Sequence, residues 1–155
     1  MRECIHTKAD DIPAKHVNNH PRFAYAERVI VPERENGQCR VSEYELPPGM
    51  ASYPYHYHME REEVFYILRG EGVLRTPEGE RRVTAGDYLF FPAGEAGAHK
   101  LTNASDTEPL AYIDFDSHHE MDVAVYPDSG NIGVWGKGIG KVYRADSTAG
   151  YYDGE

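Results

Sequence analysis

Two histidines separated by a single residue, His56 and His58, are the first positions along the chain whose type and spacing could do chemistry. Successive side chains of a strand point to opposite faces, so residues two apart project from the same face as a pincer. Glu63 follows after a charged link and opens the apolar run Val64-Phe65-Tyr66-Ile67-Leu68, which places its carboxylate on the face of Phe65 and Ile67. A carboxylate buried there either holds a proton or needs a cation. His99 begins a later strand-sized piece, just beyond the small-residue loop Pro92-Ala93-Gly94-Glu95-Ala96-Gly97. Three neutral imidazoles and one carboxylate suit manganese, iron, nickel, copper, cobalt or zinc, whereas magnesium or calcium calls for a mostly oxygen shell. A His-x-His pair alone occurs by chance on many surfaces; its weight here comes from the other two residues. The expected cofactor is one divalent transition metal (Mn, Fe, Ni or Zn) on His56, His58, Glu63 and His99, with coordination positions left for water or substrate.

Around such a centre, alternation turns Ser42, Tyr44 and Leu46 inward, then Phe65 and Ile67, then Leu101 and Asn103. The last strand contributes either Tyr112 and Asp114 or Ile113 and Phe115. Tyr44 is the candidate for substrate contact, and Asp114 the extra carboxylate that could act as acid or base. Tyr55 and Tyr57 fall on the face opposite the histidines, where packing is their default role. His118-His119-Glu120 is a weaker metal candidate, because adjacent side chains of an extended chain diverge and no third ligand is placed. Arg69, Arg75, Arg81 and Arg82 could steer an anion, but arginines on strand surfaces more often solubilise an edge. No nucleophile–base pair, phosphate-cradling loop or dinucleotide fingerprint competes with the metal reading.

The elements that must carry these residues are strands. Fifteen glycines, ten prolines and twelve tyrosines beside short apolar runs favour an all-β protein, and 155 residues fit one domain. Phe23 to Val31 and Gln38 to Leu46 read as strands about a turn at Asn36-Gly37. Gly72 to Arg75 and Arg81 to Val83 form a hairpin about Thr76-Pro77-Glu78-Gly79-Glu80. Tyr88 to Phe91, His99 to Asn103 and Leu110 to Phe115 complete a set of short strands with both faces apolar. Closing such a sheet into a barrel removes its unpaired edges.

The residue pattern also resembles a known family. His56-Tyr57-His58, four residues, Glu63, six residues and Gly70 are similar to the first signature of the cupin superfamily. The second is matched by Gly86, five residues, Pro92-Ala93-Gly94, four residues, His99, three residues and Asn103. Gly49 and His99 each stand further from their neighbouring motif residue than usual, in loops where an insertion leaves strand phase untouched. Val125-Tyr126-Pro127-Asp128-Ser129-Gly130 and the closing Tyr151-Tyr152-Asp153-Gly154-Glu155 further resemble bacterial single-domain cupins of largely unassigned role. The resemblance implies a double-stranded β-helix, a jelly-roll-like barrel, over 22–116, with an N-terminal arm (1–21) and a C-terminal extension (117–155) packing on it. It also implies the ligand set His56, His58, Glu63 and His99.

The function expected is that of a metal-dependent enzyme, an isomerase, decarboxylase or dioxygenase, acting on a small oxygen-rich molecule such as a sugar, keto or hydroxy acid, or phenolic. The alternative is a cupin that binds or senses a small molecule without catalysis. Sixteen basic against twenty-six acidic residues give a net charge of -10, which repels phosphate backbones and anionic lipid, so neither nucleic acid nor membrane is an expected partner. No stretch approaches the ~18 apolar residues of a membrane span. Cys4 and Cys39 form no CxxC pair, and the charged stretch Met1 to Asn19 lacks a leader's apolar core, so the expected location is the cytoplasm. Val64, Tyr66 and Leu68 make the outer face of the central strand apolar too, which invites a homodimer.

Overall fold

The computed structural model describes residues 4–33, 37–136 and 138–155. Its strands, in chain order, are β1 (Lys15–His20), β2 (Phe23–Val31), β3 (Cys39–Leu46), β4 (Tyr57–His58), β5 (Glu63–Arg69), β6 (Glu71–Thr76), β7 (Gly79–Thr84), β8 (Tyr88–Phe91), β9 (Lys100–Asn103), β10 (Leu110–Ser117), β11 (Met121–Tyr126), β12 (Asn131–Gly136) and β13 (Ile139–Arg144). The turn expected at Asn36-Gly37 includes Asn36, which lies outside the described residues. No helix among the described residues is long and apolar enough to cross a membrane.

A six-stranded sheet, ordered β1-β2-β3-β10-β5-β8, faces two smaller ones ordered β13-β12-β11-β4 and β7-β6-β9. The β6–β7 hairpin pairs Thr76 with Gly79, as the proline and glycine of that turn predict. The jelly-roll expectation holds: the fold is all-β. The core packs Tyr44 and Leu46 of β3, Phe65 and Ile67 of β5 and Leu110 and Tyr112 of β10 against Leu74, Val83, Leu89, Phe91 and Leu101.

Register grades the inner face of the large sheet from apolar to polar. One cross-strand row runs Glu27, Tyr44, Tyr112 and Ile67; the next runs Ser42, Asp114, Phe65 and Leu89; the third runs Arg40, Asp116, Glu63 and Phe91. A sheet fixes which side chains meet, because opposed residues share a face. The third row therefore concentrates ionisable groups, while Glu27 is the one ionisable residue of the first. The alternative left open for the last strand is settled in favour of Tyr112 and Asp114, both buried, while Phe115 is 45% exposed.

Strands also form in the N-terminal arm and the C-terminal extension, where none was expected. The polar segment Lys15–His20 pairs antiparallel with β2 at the sheet edge. In the C-terminal segment, β11 pairs with β4, setting Ala124 against His58 and Val125 against Tyr57. That pairing carries the C-terminal chain across the histidine pair.

Candidate metal centre

His56 and His58 reach the centre from the irregular strand that ends in β4, Glu63 from the first position of β5, and His99 from the residue before β9. His56 and His99 are bridged backbone to backbone, each N–H donating to the other's carbonyl at 3.1 and 2.8 Å. The two halves of the donor set are thus held in register by the main chain. His99 is aimed by the 3-10 turn Glu95–Gly97, which is so tight that a Cβ on Gly97 would sit 1.8 Å from the Pro92 carbonyl oxygen.

Ligand atoms of His56, His58 and Glu63 lie within 4.8 Å of one another. His99 joins them at Glu63: its Nε2 is 3.4 Å from Oε2, while His58 Nε2 is 3.8 Å from Oε1. Each imidazole has its other nitrogen tied down. His56 Nδ1 donates to Pro54 O at 2.9 Å, His99 Nδ1 to Gly97 O at 2.9 Å, and His58 Nδ1 to the Asp122 carboxylate. A ring that donates from Nδ1 keeps a lone pair on Nε2, the tautomer a metal ligand needs. His99 Nε2 is buried and has no hydrogen-bond partner among the described residues.

Electrostatics favour the same protonation states. Burial, followed by the charge of His58, pushes His56 down to about 4. Burial, followed by His56, holds His99 well below the ordinary histidine range. Both are neutral at pH 7. Glu63 is held well above the carboxylate range by burial and then by Asp114 and Asp116, so a nearby cation relieves the cost of its ionised form. Three imidazoles whose Nδ1 atoms are tied down, beside a carboxyl that cannot cheaply ionise, fit a divalent transition metal.

A cavity of about 170 Å³ opens onto this cluster. The catalytic candidates Tyr44 and Asp114 both line it. Tyr44 is committed elsewhere: its hydroxyl donates to Glu27 Oε1 at 2.9 Å and lies 3.0 Å from the Tyr53 hydroxyl. Asp114 is 4% exposed, and its Oδ1 has no hydrogen-bond partner among the described residues. Burial, then Asp116, raises its carboxyl well above the usual range. Glu63, Asp114 and Asp116 offer oxygens within 4.8 Å of one another.

Several cavity residues were not singled out from sequence. Asp116 follows from Asp114 by alternation and was legible in principle. Arg40 bridges Glu27 and Asp116 from within the barrel. Arg61, in the charged link after His58, also lines the cavity. Asp122, Tyr126 and Trp135 come from β11 and β12; the Tyr126 ring stacks on His56 at 5.8 Å, and Asp122, 2% exposed, accepts the Glu60 N–H at 3.1 Å. Burial works against the Asp122 charge, but the bond from His58, the Glu60 amide and Arg61 outweigh it and leave its carboxyl below the ordinary range. No motif announces these C-terminal partners.

The remaining candidates lie apart. Arg69, Arg75, Arg81 and Arg82 pair with Glu45, Asp128, Glu78 and Glu71 on the surface, and the Arg75 guanidinium covers the Tyr55 ring at 4.0 Å. His118, His119 and Glu120 form no ligand cluster among the described residues.

Comparison with known proteins agrees with this geometry. Residues 42–116 match the model of the cupin domain. The chain is 40% identical over 68 residues to an oxalate-binding protein of Thermotoga maritima, covering 44% of the chain and 55% of that protein. It is 30% identical over 122 residues to a glucose-6-phosphate isomerase of Pyrococcus abyssi, covering 70% and 58%. The chain thus spans about half the length of the curated relatives it matches. Among solved structures, a sugar phosphate isomerase of the cupin superfamily from Silicibacter pomeroyi superposes with a TM-score of 0.82 at 23% identity, over 96% of this chain and 98% of that one. Sequence signatures, jelly-roll topology and the domain match together identify residues 42–116 of this chain as a cupin domain.

Proposed function

We propose that the protein is a metal-dependent enzyme that chelates a small hydroxy- or oxo-compound and moves a proton on it, with His56, His58, Glu63 and His99 as ligands and Asp114 as the proton-transferring residue. One observation carries the reading: the buried carboxyl of Asp114, whose Oδ1 has no hydrogen-bond partner among the described residues, lines the same cavity as His56, His58 and Glu63. A divalent ion bound there supplies Lewis acidity, drawing electron density from a coordinated ligand oxygen. The chain's own residues do the rest. Burial raises the Asp114 carboxyl, which suits it to deliver a proton to a ligand oxygen and then accept one from the adjacent carbon.

Size narrows the ligand. A cavity of ~150 Å³ just holds benzene, so 170 Å³ takes roughly six to ten non-hydrogen atoms. That favours a small acid or a short sugar fragment over a flavonol. The relatives' names point the same way, since oxalate and an open-chain sugar phosphate both present adjacent oxygens to a metal. A relative named as a binding protein supports the second reading, chelation without turnover.

Proton exchange distinguishes the two. Metal-loaded protein is incubated in deuterated water with small hydroxy and oxo acids and aldoses, and carbon-bound deuterium is followed by NMR. Incorporation that disappears in Asp114→Asn while ligand binding persists supports the enzyme. Binding of a panel member with no incorporation in the wild type would leave only the binding module.

The outer face of the large sheet supports a homodimer. Val31, Val41, Phe115, Val64 and Phe90 form one cross-strand row over five strands, with Phe90 59% and Phe115 45% exposed. A continuous apolar row of that length gains stability by meeting a second copy.

A further inference from the structure

Arg61 and Trp135 belong to two cavities at once. Both line the 170 Å³ chamber on the histidine cluster, and both line a second, outer cavity of about 450 Å³ that also includes Glu33 and Ile139. A side chain shared by two adjoining spaces is their partition. The inner chamber holds the chelating end of a ligand and little more, so the rest of a larger molecule has one marked direction to take, past this pair.

The two guanidiniums of the inner chamber are not equivalent. Arg40 is spoken for, held between Glu27 and Asp116, with Nη1 3.2 Å from the latter. Arg61 is held loosely. Its Nη2 meets Glu33 at 2.8 Å, but that carboxylate side chain is 45% exposed, and exposed ion pairs are worth little. Its Nε stands 3.6 Å from Asp122 Oδ2, too far for a hydrogen bond, and that oxygen already accepts the His58 proton. Arg61 Nε is therefore a buried donor without a hydrogen-bond partner among the described residues. A buried N–H left unpaired is costly, and a ligand acceptor placed there recovers that cost. Guanidinium in particular offers a planar fork suited to carboxylate or phosphate.

Charge favours an anion more once the centre is filled. Lining the inner chamber are Arg40 and Arg61 against Glu63, Asp114 and Asp116. A divalent ion on the histidines and Glu63 makes that balance more positive.

We infer that Arg61, at the partition with Trp135, is a specificity-determining subsite for a second, anionic group of the ligand, remote from the chelating end. The ligand class is a hydroxy- or oxo-compound carrying a carboxylate or phosphate a few bonds from its chelating oxygens. This rests on the chelating reading above, and the experiment separates the two.

Glycerate, malate and 3-phosphoglycerate share a 2-hydroxycarboxylate end and differ at the far end, which is neutral, a carboxylate or a phosphate. Each is titrated calorimetrically into manganese-loaded protein, wild type and Arg61→Gln, with Arg61→Lys as the variant that keeps the charge. In the wild type at least one dianionic probe binds about tenfold or more tightly than glycerate. That advantage, taken as the ratio to glycerate within each protein, falls to within about twofold in Arg61→Gln and is partly restored in Arg61→Lys. Malate against 3-phosphoglycerate tells which anion fits. Equal affinity of the three probes in the wild type, or an advantage undiminished in Arg61→Gln, overturns the subsite and leaves chelation standing. No binding of any probe to metal-loaded protein overturns chelation itself. The wild-type comparison decides the matter even if a variant fails to fold.

Discussion

At the scale of single residues, each imidazole of the centre has one nitrogen fixed by the fold and one turned to Glu63. Two of the fixing groups are backbone carbonyls, Pro54 and Gly97, which no substitution removes. The third is the Asp122 side chain, and it can be tested. Asp122→Asn keeps an oxygen for the Glu60 amide but loses the charge that orients His58. We expect metal affinity to fall about 10–100-fold, measured by competition with a chromogenic chelator, with little change in metal-free melting temperature. Glu63→Gln removes a ligand outright, so metal content after dialysis should drop below that of Asp122→Asn.

Protonation at the same residues gives the metal-free protein an unusual pH response. Glu63 and Asp114 have raised pKa values in the fold, so above the ordinary carboxyl range, about 4, the native state holds protons that the unfolded chain has released. Native stability then falls as pH rises toward the folded values. His56 and His99 act oppositely, since their lowered values make stability climb between about pH 4 and 6.5 and then level off. Above about pH 6.5 only the carboxyls remain, so chelator-treated protein should lose denaturant resistance as pH rises further toward their folded values. Metal-loaded protein should not, because the ion takes the place of Glu63's proton. A flat metal-free profile over that range would mean that the carboxyl cluster ionises without strain.

At the scale of elements, the turn Glu95–Gly97 couples stability to the centre. Adding a methyl at Gly97 drives it into the Pro92 backbone, and the turn must open. The Gly97 carbonyl that anchors His99 moves with it. Gly97→Ala is expected to cost about 1–3 kcal/mol of stability and also to weaken metal binding. Gly86→Ala is the control for a glycine with positive φ, 96°, and open space around it; it strains only its own turn and should leave metal affinity near wild type.

At the scale of the whole molecule, the polar end of the barrel lies on the inner face of the large sheet and the apolar row on its outer face, so the proposed dimer would leave the cavity side free. Light scattering at micromolar concentration should give a dimer. Phe90→Glu with Phe115→Glu should give a monomer that still binds metal, because neither residue contributes to the cavity. A wild-type monomer would show that the row is simply exposed.

The candidate donor set and the strands bearing it were legible because they rest on local rules. Alternation alone puts Tyr44, Phe65, Ile67 and Leu101 inside, and the motif spacings mark His56, His58, Glu63 and His99. Parity could not choose between Asp114 and Phe115, since an apolar strand with two plausible faces carries no internal mark of which is buried. Pairing of β10 with β3 and β5 made that choice. Nor could any local pattern bring Asp122, Tyr126 and Trp135 to the histidines, because strand pairing between segments some 65 residues apart, as in Asp122 with His58, is a property of closure. The sequence by itself determined which donors exist and that they alternate onto strands. Only the tertiary structure decided their company, for burial and long-range register are what turn neighbouring carboxyls into proton holders and a link arginine into a wall of the site.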